Sequence, residues 1–127
     1  MKQPVLVIAA AAEVATGAAL LVTPAIVTQL LFGEEVSGVG AVASRVAGIA
    51  LIALGISCWP TCGSTHAHCG MLTYSALVTV YLASLGIEGR WVGRLLWPGV
   101  VLHAVLTILL VREWLIRRRA PRPDENQ

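Results

Sequence analysis

Two charged residues stand inside apolar runs long enough to cross a bilayer: Glu13 and Arg45. Holding a charged side chain at the bilayer centre costs about 3 kcal/mol or more, so such residues face a bundle interior and find a partner there. His103 and Tyr81 also fall inside apolar runs. Together the four form a candidate ligand or proton site, because a carboxylate and an imidazole can exchange protons. Two readings of this set stay open from the residues alone. One is a neutralised Glu13–Arg45 pair that fixes helix register, with His103 hydrogen-bonded to a neighbouring span. The other is a binding or proton-handling centre.

A second set is sequential. Cys58, Cys62, His66, His68 and Cys69 place five soft or borderline metal ligands within twelve residues, as C-x3-C-x3-H-x-H-C. Zinc or copper(I) accepts such donors. The spacing is that of no standard zinc finger, Gly63, Ser64 and Thr65 make the stretch flexible, and Cys58 is tied to the last turn of a span. The expectation is therefore free thiols and solvated histidines, with weak or no metal binding and no other cofactor. Disulfides are not expected on a cytoplasmic face. An inverted topology would make Cys62–Cys69 a plausible bond.

The elements that must position these residues are membrane spans. Hydrophobic residues make up 57% of the 127-residue chain and charged residues 13%, which is too apolar for an ordinary soluble domain. A helix needs about 20 apolar residues to cross the hydrocarbon core. Runs of that kind fall at about 4–22, 38–59, 71–87 and 91–114. Thr23-Pro24 reads as an N-cap followed by proline at the first helical position, opening a short interfacial helix over 24–32 that Gly33 closes. The fold class is all-α membrane: one four-helix transmembrane bundle over 1–117 with short loops, the Cys/His stretch from Thr61 to Gly70 among them, and a flexible cytoplasmic tail over 118–127. Glu13 splits the first apolar run and no clean small-x-small site precedes a polar mature start, so a cleaved signal peptide is not expected.

Orientation follows from the basic residues. With four spans both termini share a side, and that side holds Lys2, Arg112, Arg117, Arg118, Arg119 and Arg122. The other holds only Arg90 and Arg94, beside Glu34 and Glu35. Both termini are expected in the cytoplasm. Trp59, Trp91, Trp97 and Trp114 sit at or near span ends, as an aromatic belt requires. The basic residues mark membrane topology rather than a nucleic-acid surface, so the expected partners are the bilayer and either a membrane complex or a second copy. Counted from the far face at 1.5 Å per residue, Glu13, Arg45, His103 and Tyr81 lie at roughly 9 to 18 Å depth. A common layer is thus available, and Ala9, Gly17, Ala41, Gly48 and Gly55 would let the first two spans approach closely. Tyr74 shares a helix face with Tyr81, and packing is the expected role of both.

Two family resemblances attach to these residues. Ala12-Glu13-Val14, early in the first span of a small four-span chain, resembles the small multidrug resistance transporters, in which a first-span glutamate binds protons and cationic drugs in turn. Arg45 departs from that pattern, since it would neutralise a cation site. The segments Ala19 to Pro24, Leu30 to Gly33, Arg45 to Gly48, Ala53-Leu-Gly55 to Trp59, and Leu96-Trp-Pro98 to His103-Ala104 resemble small bacterial inner-membrane proteins of DoxX-like type. That resemblance implies a four-helix layout and, through some members, kinship with quinone-linked redox subunits. The expected function is a non-catalytic inner-membrane protein, either an accessory subunit or a small hydrophobic-ligand binder. The alternatives are a proton-coupled transporter using Glu13 and a quinone-linked subunit. No hydrolase elbow, P-loop or dinucleotide fingerprint is present.

Overall fold

The computed structural model describes residues 4–59 and 65–119. Five helices follow in order: α1 (Pro4–Val22), α2 (Pro24–Phe32), α3 (Gly38–Ser57), α4 (Thr65–Glu88) and α5 (Leu96–Arg119). All but α2 are long and apolar enough to cross a membrane, and no strand occurs among the described residues. The chain is a multi-pass, all-α membrane protein.

The helices associate as two pairs. α1 packs chiefly on α3 and α4 on α5, with much thinner contact between the pairs. Glycine makes the α1–α3 approach possible. A Cβ on Gly48 would lie 2.6 Å from the Gly17 carbonyl oxygen, and one on Gly55 would lie 2.6 Å from that of Ala10. Backbones this close gain dispersion and need no polar glue. In the second pair Gly86 admits Leu96 and Trp97. Between the pairs, Leu6, Ala9 and Ala10 of α1 meet Met71 of α4 and Leu106 and Leu110 of α5, together with Cys58.

The end of the molecule away from the termini is closed by backbone hydrogen bonds. Gly33 adopts φ 82° and its N–H returns to the Gln29 carbonyl at 2.9 Å, ending α2. The carbonyls of Leu30 and Leu31, orphaned by that ending, accept from Leu95 (2.8 Å) and Gly93 (2.9 Å) in the α4–α5 connection. A side chain at Gly93 would collide with the Leu30 carbonyl.

These bonds also move a boundary. The fourth span was expected from Trp91, but Trp91–Leu95 is spent capping α2, and α5 begins at Leu96. It then runs on to Arg119, so Arg118 and Arg119 belong to the helix rather than to a tail. The remaining tail, 120–127, lies outside the described residues. The third span begins earlier than its expected start at Met71: helix α4 starts at Thr65 and takes in His66, His68, Cys69 and Gly70. Polarity there suggested a loop, yet none of these residues stops a helix, and His68 and Met71, three apart, share the buried face. α3 ends at Ser57, just short of the expected Trp59.

Candidate functional site

Glu13 is the one buried acid among the described residues, at 2% exposure midway along α1. Its neighbours come from the opposite pair. His103 on α5 brings Nδ1 to 3.9 Å from Oε1 of Glu13. Tyr74 on α4 places its hydroxyl within hydrogen-bonding reach of the same carboxylate. The Tyr74 and His103 rings meet edge to face, with centroids 5.9 Å apart and planes at 77°. Three helices thus deliver one acid, one phenol and one imidazole to a point between the two pairs. Nδ1 of His103 is buried and has no hydrogen-bond partner among the described residues. Its distance from the carboxylate is about 1 Å longer than a hydrogen bond.

The expected Glu13–Arg45 pair does not form. Arg45 is exposed on α3 and makes no ion pair with Glu13. Register is the cause. Gly17 sits against Gly48 and Ala10 against Gly55, so Arg45 is level with about Leu20. That is seven residues, or about 10 Å, from Glu13 along the axis. So placed, its long side chain can extend toward the headgroup layer.

Tyr81 is not part of this centre either. It lies two helical turns beyond Tyr74 on α4, about 10 Å further along. At 63% exposure it lines a separate cleft with Phe32 and Trp91. Of the four residues expected to converge, the structure brings together Glu13 and His103. Tyr74, read from the sequence as a packing residue, takes the third place. Its position near the middle of α4 is the signal that could have found it.

The cysteine–histidine set is dispersed. His66 and Cys69 are exposed on α4, whereas His68 is 3% exposed and its Nε2–H donates to the Leu110 carbonyl at 2.9 Å. Cys58 is 2% exposed and its thiol donates to the Ala67 carbonyl at 3.4 Å. Buried and spent as a donor to a carbonyl, the Cys58 thiol is not presented to a metal. No three histidine, cysteine or acidic side chains converge on a metal position among the described residues. Cys62 lies outside those residues. The chain matches no family model, and no curated protein or solved structure is significantly similar to it.

Proposed function

We propose that this chain is a non-catalytic, multi-pass membrane protein that holds an exchangeable proton on Glu13, and that it serves as an accessory subunit or a binder of small hydrophobic molecules. One observation carries the reading: a carboxylate at 2% exposure whose partners all belong to the opposite helix pair. As a carboxylate Glu13 accepts from the Tyr74 hydroxyl. As a carboxylic acid it has a proton to donate, and Nδ1 of His103 is the nearest open acceptor. The protonation state of one residue therefore bears on how the two pairs fit. Infrared difference spectra of the reconstituted protein test this. A single buried carboxyl band should titrate with pH, vanish in Glu13→Gln and shift in frequency in Tyr74→Phe. A band that persists in Glu13→Gln, or no titrating band in the wild type, rejects it.

A proton-coupled carrier is the second reading, favoured by the displacement of Arg45, which leaves Glu13 without a guanidinium partner among the described residues. Proton release on adding a lipophilic cation, lost in Glu13→Gln, would select it. The charge asymmetry supports a bacterial inner-membrane location with both termini in the cytoplasm. Reporter fusions at Gln127 and within 34–37 should then give opposite signals. The DoxX-like resemblance supports the subunit role, for which a co-purifying membrane partner is the test.

A further inference from the structure

A cleft of about 500 Å³ opens between the two helix pairs at the end away from the termini. This is within the range of about 300–1,000 Å³ typical of small-molecule sites. Phe32 of α2 and Leu85 of α4 give it apolar walls, Tyr81 and Trp91 add aromatic faces, and Glu34 and Glu35 stand in the α2–α3 connection beside them. No lysine or arginine lines it among the described residues. Glu13, Tyr74 and His103 take no part in it.

We propose that this cleft is a binding site for an amphipathic organic cation, its ammonium head held by Glu34, Glu35 and the aromatic faces, and its apolar body laid against Phe32 and Leu85. Each half of the lining selects one half of that ligand. Two carboxylates side by side repel anions and gain from a positive head. Aromatic rings attract ammonium groups through their negative faces. Trp91 already shows this behaviour, with the Arg90 guanidinium 5.9 Å from its ring centroid. A small hydrated metal ion would keep its water shell and leave the apolar walls uncovered. The ammonium can come from a free amphiphile or from a lipid headgroup. The phosphate beside a lipid's ammonium would face the same two carboxylates, which favours the free cation.

The site is independent of the reading of Glu13, and the test keeps the two apart. Full-length protein in maltoside micelles is titrated calorimetrically with dodecyltrimethylammonium, and in a parallel arm with short-chain phosphatidylcholine. One saturable equivalent of dodecyltrimethylammonium is expected. Glu34→Gln/Glu35→Gln should weaken it about tenfold, and Tyr81→Ala should weaken it less. Arg90→Gln should tighten it, because a competing cation leaves Trp91. Glu13→Gln should leave it unchanged. Glu34, Glu35, Tyr81 and Arg90 are all exposed, so their variants should retain the wild-type helical circular dichroism. Phosphatidylcholine binding with the same dependence on Glu34 and Glu35 would keep the ammonium chemistry and name a lipid as its source. Binding that does not saturate, or that survives unchanged in the double variant, overturns the proposal.

Discussion

The α1–α3 seam and the junction between the two helix pairs solve the same problem in opposite ways. In the seam, Gly17, Gly48 and Gly55 bring backbone onto backbone, and no side chain of either helix hydrogen-bonds across it. At the junction contact is thin, and its centre is polar: Glu13, Tyr74 and His103. Apolar packing between helices gains little from lipid exclusion, because lipid is as apolar as leucine. A seam can therefore be permanent only if it is very close, whereas a junction built on a proton-bearing group can depend on conditions.

Substitutions should separate the two. The largest effect is expected at Gly48→Leu. Its Cβ would fall 2.6 Å from a carbonyl oxygen that cannot move aside, and overpacking of this kind costs about 3 kcal/mol or more. Unfolding in mixed micelles should show the loss, and wild-type stability in this variant would mean that the glycines do not set the seam. A middle-sized effect belongs to the junction. Glu13→Ala and His103→Ala should each cost about 1–3 kcal/mol by stranding a buried polar partner, with the double variant losing less than the sum. Strict additivity would show that the two residues are not coupled. The smallest effect is expected at Arg45→Ala. Exposed and without an ion-pair partner among the described residues, it should change stability by no more than about 0.5 kcal/mol and add simply to Glu13→Ala. A coupling energy between Arg45 and Glu13 would restore the ion pair and refute the glycine-set register.

The spans were legible because bilayer thickness forces about 20 apolar residues, and α2 was legible because Thr23-Pro24 and Gly33 are local signals that later packing does not override. The site was half legible. Glu13 and His103 announce themselves by being ionisable within apolar runs. Their partners depend on register, which the small residues set through pairings that spacing alone leaves undetermined. The glycines of both helices were visible, but not that Gly48 would choose Gly17, and that choice is what carries Arg45 away from Glu13. The polar stretch before Met71 misled in another way. His68, near the start of a helix, places its Nε2–H on the Leu110 carbonyl of the neighbouring helix, so polarity there did not mean a loop.

The stitches from Gly93 and Leu95 to the carbonyls of Leu31 and Leu30 have a mechanical consequence. They fasten the second pair to the first through main-chain atoms, which do not depend on side-chain identity. On the other side of Glu13 the pairs meet through side chains instead: Leu6, Ala9 and Ala10 against Met71, Leu106 and Leu110. Glu13 lies nine residues from either end of α1, between these two attachments. The junction is thus clamped above and below its polar centre. Gain or loss of a proton at Glu13 would be taken up by the side chains of Tyr74 and His103 rather than by parting of the helices.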